Sequence, residues 1–182
     1  METQEVWELL DGVVDAVLYA TVKHAGQTRR GSGEPYVVHP IRVVRHLVSV
    51  RVFDPEILQA AALHDVLEDC GVEPAAFEAQ WGPKVSALVT ELTNKPGLKR
   101  EEKKAYMVEK FKRLSIEAKL IKLADRLDNL ADLKPDDAWS ARYADETRAM
   151  LEPGLTSMYD DNYTDAHRSL TRLIFGRMHK VE

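Results

Sequence analysis

Cysteine is almost absent: Cys70 is the only one among 182 residues. That excludes an internal disulfide and a structural zinc site closed by several thiolates, and it fits a reducing, cytoplasmic setting. There is no apolar run of about 18 residues, the length a membrane helix needs, so no membrane association is expected. The N-terminus, METQEVWELLDG, opens on acids rather than on lysine and arginine, and does not read as a signal peptide. A basic excess is also missing, with 25 Lys and Arg against 30 Asp and Glu and a net charge of −5. This argues against sequence-independent binding to nucleic acid. It leaves a nucleotide substrate open, because a few arginines or a metal ion can hold phosphate on an acidic protein. No repeat, low-complexity stretch or strand-like alternation is present.

What the sequence does contain is helical periodicity. Val6, Leu9, Leu10, Val13, Val14, Val17 and Leu18 set the first helix, to about Ala25; RRGSGEPY follows as a loop. A helix from about His39 to Arg51 comes next, then Asp54-Pro55 as N-cap and first turn of EILQAAALHDVLEDC, which ends at Gly71. Pro74 opens a short helix that stops near Gly82-Pro83, and another runs from Lys84 to about Thr93. Lys99 to Leu114 is a charged helix; Ser115 caps IEAKLIKLADRLDNLADL, which Lys134-Pro135 terminates. A helix from Asp137 to Leu151 stops before Pro153-Gly154, and Thr164 caps a last one. The expectation is one all-α domain over residues 1–182, with its motifs in 23–153 and a helical extension over 154–182.

The helix around residues 56–70 is apolar on nearly every side, which is the pattern of a buried helix. His64 and Asp65 then sit in or beside the core, with Glu68 and Asp69 one turn on. A buried carboxylate is paired or binds a metal, so a closed hydrogen-bond network and a metal site are both open for this helix alone. On the IEAKLIKLADRLDNLADL helix, Asp125 and Asn129 are one turn apart, and a solvated polar face is the plainer reading. A lone His39 reads as a cap or interface residue. Together, His39, His64, Asp65 and Asp125 offer two imidazoles and two carboxylates from three helices. Such a set suits a manganese, iron, zinc or magnesium ion with room left for water and substrate.

The stretches KHAGQTRRGSGEPYVVHP, AAALHDVLEDCGV and KLIKLADRLDNLADL, in that order, closely resemble the hydrolase domain of the RelA/SpoT family, within the HD superfamily of phosphohydrolases. ARYADETRAMLEP is similar to the segment that closes this domain in the long members. The resemblance implies a manganese ion on His39, His64, Asp65 and Asp125, and a catalytic pair at Glu68 and Asp69. It implies substrate contacts at Asn129 and at the basic pair Arg29 and Arg30, with Ser32 nearby. A solvated loop is the bland alternative for that basic pair, but its closeness in sequence to His39 favours the functional reading. Departures are Leu67-Glu68-Asp69-Cys70 where the family reads V-E-D-T, Asp128 where it has His, and a slightly longer RRGSGEPY loop. These departures fall on the substrate pocket and touch no metal ligand.

The implied activity is metal-dependent removal of the 3′-pyrophosphate from a guanosine alarmone, without the synthetase and regulatory domains of the long members. The partner is a small nucleotide, and a homo-oligomer stays open. Two other readings stand beside it: a different HD phosphohydrolase, such as a nucleotidase or a phosphatase of a dinucleotide's 2′- or 3′-phosphate, and a non-catalytic alarmone-binding protein.

Overall fold

The computed structural model describes residues 3–30, 32–97, 99–134, 137–157 and 164–178. Among these residues the chain is helical throughout, as expected, with one isolated antiparallel bridge between Thr28 and Pro35 in the loop after the first helix. The helices are α1 (Thr3–Lys23), α2 (Val38–Ser49), α3 (Pro55–Leu63), α4 (Val66–Asp69), α5 (Pro74–Leu92), α6 (Arg100–Arg113), α7 (Ile116–Ala131), α8 (Ala138–Ser157) and α9 (Asp165–Met178). No helix among the described residues is long and apolar enough to cross a membrane.

Two helices organise the rest. α3 is apolar all round and packs against α1, α2 and α5. Its start is set locally: Asp54 accepts from the Glu56 and Ile57 amides at 3.0 Å each, and Pro55 supplies the preset φ of the first turn. α7 packs against α2, α5 and α9. Ser115 caps it through the Ala118 amide at 3.2 Å. Its face is not the solvated one that its polar residues allowed, because Asp125, Arg126 and Asp128 are all buried. α9 lays Leu170, Ile174 and Met178 into the same core. It is tied to the start of α7 by His167, whose Nε2 donates to the Ile116 carbonyl at 2.9 Å while Nδ1 accepts from the Thr164 hydroxyl at 2.8 Å.

Three boundaries differ from expectation. The single helix expected through residues 56–70 breaks at His64-Asp65 and resumes as α4. His64 Nδ1 bonds the Ala61 carbonyl at 2.8 Å, the oxygen a continuous helix would offer to the Asp65 amide. The break expected at Gly82-Pro83 is a one-residue kink in α5, at Gly82 (φ 79, ψ 166), with no loop; that backbone is natural only to glycine. α8 does not stop before Pro153-Gly154 but continues to Ser157. A proline removes one helical donor and bends a helix without having to end it. Pro135, the expected terminator of α7, lies outside the described residues, and α7 has already ended at Ala131.

Candidate metal centre and active-site cavity

The packing of α2 and α3 against α7 brings three separated sequence segments to one point. His39 is in the first turn of α2, His64 and Asp65 form the α3–α4 junction, and Asp125 lies midway along α7. His39, His64 and Asp125 are 1%, 3% and 4% exposed. One donor atom from each lies within 4.8 Å of the other two. Asp65 closes the group: its Oδ2 is 2.9 Å from His64 Nε2 and 3.7 Å from His39 Nε2.

The imidazoles are aimed by what holds their other nitrogens. His39 Nδ1 donates to Asp128 Oδ2 at 2.7 Å, and His64 Nδ1 donates to the Ala61 carbonyl. Both Nε2 atoms therefore turn into the same space. His64 Nε2 is buried and has no hydrogen-bond partner there, despite its closeness to Asp65. An orphaned buried nitrogen costs free energy unless a cation takes its lone pair. Two imidazole nitrogens and carboxylate oxygens without a thiolate suit a borderline or hard divalent ion. The residues present fit such a metal.

The carboxylates are held ionised. Burial raises the Asp125 pKa, but Lys122, His39 and His64 outweigh it and leave it well below the usual range; Lys122 Nζ is 2.7 Å from Asp125 Oδ2. Asp65 shows the same contest, burial against His64 and His39, with the same outcome. It also accepts from the Tyr36 hydroxyl at 2.5 Å. Asp128 is drawn down to about 2: burial is outweighed by hydrogen bonds from His39 and His46. For His39, burial lowers the pKa, but Asp125 and Asp128 raise it further, to about 9.

A cavity of about 750 Å³ opens from this centre. Asp65, Asp125 and His39 line its inner end, with Glu68 and Asp69 beside them. Glu68 accepts from the Asn94 backbone amide at 2.8 Å and from Asn94 Nδ2 at 3.3 Å. Asp69 has a raised pKa, from burial first and then from Asp65 and Glu68. The outer walls are cationic and aromatic. Arg30 lies over the Trp139 ring at 5.4 Å and Arg126 over Tyr143 at 4.5 Å, with Lys95, Lys103 and Arg142 around them. Such walls suit a planar, polyanionic ligand.

Asn129 lines the cavity; its Nδ2 donates to Asp125 Oδ1 at 2.5 Å. The two neighbouring arginines part company. Arg30 lines the cavity. Arg29 does not: its guanidinium is 2.9 Å from Asp132 and 2.7 Å from Asn129 Oδ1, behind the wall. Ser32 is exposed, outside the cavity lining, and bonds Glu34 at 3.0 Å. Sequence reasoning missed the roles of Tyr36, Lys122 and Asn94. It also placed Asp128 away from the ligands, whereas Asp128 bonds His39 directly. The i,i+3 spacing from Asp125 was the available signal for Asp128; nothing local marks Asn94.

A helical fold with this buried imidazole–carboxylate centre has the form of a metal-dependent phosphohydrolase, and the chain belongs to the HD domain family, whose model matches residues 16–153. Membership implies a divalent metal, and His39, His64 and Asp125 form a site for one. The chain is 42% identical over 123 residues to the guanosine-3′,5′-bis(diphosphate) 3′-pyrophosphohydrolase MESH1 of Drosophila melanogaster, covering 66% of this chain and 69% of that one. It is 38% identical over 138 residues to human MESH1, covering 74% and 77%. A Vibrio cholerae protein with the same activity in its name is 39% identical over 153 residues, 79% of this chain but only 21% of that longer protein. Among solved structures, a metazoan ortholog of SpoT that hydrolyses ppGpp matches with a TM-score of 0.76 and 32% identity, over 91% of this chain and 95% of that one.

Proposed function

We propose that this protein hydrolyses the 3′-pyrophosphate of ppGpp and pppGpp, giving GDP or GTP and pyrophosphate. The observation that carries the reading is the buried His39–His64–Asp125 group opening, beside Glu68, into a cavity with cationic and aromatic walls. The proposed metal ligands are His39, His64, Asp65 and Asp125, and manganese is the ion we assign to them. When bound, the metal supplies a polarised water at neutral pH and offsets charge on the phosphoryl oxygens.

The chain's own residues do the rest. Glu68 orients the attacking water and takes its proton. Asp69, raised by burial beside Asp65 and Glu68, is the member of the pair suited to hold a proton. The water oxygen bonds to the 3′-linked phosphorus, the bond from that phosphorus to the ribose 3′-oxygen breaks, and the 3′-oxygen leaves with a proton. Arg30 and Asn129 hold the nucleoside and its phosphates. Arg29, tied to Asp132 and Asn129, sets the position of Asn129 and makes no phosphate contact of its own. Ser32 serves the loop fold through Glu34. We place residues 16–153 and the helices flanking them in one domain that works in the cytoplasm.

The test is product analysis with manganese-loaded protein in heavy-oxygen water. The label is expected in pyrophosphate and not in the ribose hydroxyl, and nucleotides without a 3′-group survive. Orthophosphate as the main product, or equal cleavage of ordinary 5′-nucleotides, replaces this reading with a different HD phosphohydrolase. Binding of ppGpp without turnover replaces it with a sensor.

A further inference from the structure

α5 ends at Leu92, and Thr93 leaves the helix with an extended backbone. The carbonyls there lie at the negative end of the helix dipole and lack amide partners from the next turn. Lys110 of α6 crosses to them. Its Nζ donates to the Leu92 carbonyl at 2.7 Å, the Thr93 carbonyl at 2.8 Å and Asn94 Oδ1 at 2.9 Å. All three ammonium hydrogens are used. The position is not one a lysine takes for solubility: burial, with Lys122 nearby, lowers its pKa to about 8.

Asn94 passes this constraint on. An amide side chain accepts at its oxygen and donates at its nitrogen. With Oδ1 held by the ammonium, Nδ2 turns the other way, to Glu68 Oε1, while the Asn94 backbone amide donates to Oε2. Glu68 stands on α4, a helix of 4 residues, and is exposed toward the cavity. Both of its oxygens are held by one residue, and that residue's orientation is set by Lys110.

We infer that Lys110 is a positioning residue for the reaction, acting through Asn94 to hold the Glu68 carboxylate at the inner end of the cavity. Lys110 bonds no proposed ligand and does not itself line the cavity; the hydrogen bonds that tie it to Glu68 run through Asn94, which does. The inference rests on the reading of Glu68 as the base.

The experiment is steady-state kinetics on ppGpp with metal content and thermal stability measured in parallel. Lys110→Met keeps the aliphatic stem and removes the donors. Its kcat is expected to fall on the order of tenfold to a hundredfold, the scale of a misplaced reacting group. KM should stay within about twofold and metal content should not change. Asn94→Asp retains an acceptor for Lys110 but sets a carboxylate against Glu68. It should lose kcat at least as far, with no loss of thermal stability. In a Glu68→Gln background, Lys110→Met should add no further loss, because coupled residues are not additive. Wild-type kcat in Lys110→Met, or a full multiplicative loss in the double variant, overturns the inference. If Lys110→Met does not fold, Asn94→Asp decides alone, and wild-type kcat in it is the overturning result. Wild-type turnover in Glu68→Gln would instead remove the base, a failure of the proposed function that is separable from the others.

Discussion

The two ends of the cavity are built differently. At the inner end His39, His64, Asp125 and Asp128 are between 1% and 4% exposed, and both imidazoles and Asp125 are oriented by hydrogen bonds. At the outer end Arg30, Lys95, Lys103 and Arg142 are exposed, standing on a loop, a turn and two helices that share no buried polar network. A buried network fails as a unit, since removing one member leaves the others desolvated and unpaired. Exposed cations act nearly independently and are screened by salt. On the proposed function, the inner end sets whether the reaction occurs, and the outer end sets how well a polyanion is held.

The comparison breaks most sharply at the ligands. Asp125→Ala, or chelation of the wild-type protein, should abolish turnover; the loss should exceed the roughly 100-fold typical of a supporting residue. Manganese should restore the chelated protein but not the variant, and elemental analysis checks both. Full activity in metal-free protein would remove the centre from the mechanism. Next in size is Glu68→Gln, which keeps shape and removes the proposed base. Turnover should fall by about 100-fold or more with metal retained; loss of the metal would make Glu68 a ligand.

Asp128→Asn sharpens the comparison within the inner end. Asp128 supports His39 from behind, so metal affinity should weaken by roughly 10–100-fold, read by competition with a metal-binding dye. Unchanged affinity would mean that the His39 contact is only structural. At the outer end, Arg30→Ala should raise KM with kcat and metal unchanged; a charge-assisted contact of about 1.5–3 kcal/mol is at stake. Arg29→Ala should instead lower the melting temperature, because it removes one partly buried partner of Asn129 and of Asp132. If Arg30→Ala cost as much in kcat as Asp125→Ala, the division between the two ends would fall.

The smallest effect lies away from the cavity. His167 has a pKa below its ordinary 6.5, chiefly from burial, and so is held neutral in the fold. A depressed pKa contributes stability above 6.5 that is lost as pH falls through the folded value. The melting temperature should decline between about pH 7.5 and 5.5, and His167→Gln should flatten that part of the curve. An unchanged slope would remove His167 from the pH response.

Much of this was legible in the residues. Helical spacing, Asp54-Pro55 and Ser115 mark where helices begin, because capping is a local hydrogen-bond problem solved within four residues. The all-round apolar pattern of α3 marked it as buried and put His64 and Asp65 in or beside the core; His64 is buried and Asp65 partly so. The two arginines of the loop looked equivalent, since nothing in RRGSGEPY distinguishes a side chain pointing to a cavity from one pointing behind it.

On its own, then, the sequence determined the helical class, the caps, the buried helix and the order of the H…HD…D residues, because each follows from interactions between near neighbours along the chain. Only the tertiary structure decided that α7 is buried on its polar side, that Asp128 stands behind His39, that Arg29 turns away from the cavity while Arg30 faces it, and that Lys110 reaches Glu68 through Asn94. These are meetings between residues 16 to 103 positions apart. Their geometry is set by how helices pack and which polar groups must be satisfied once water is excluded, and no local pattern encodes that.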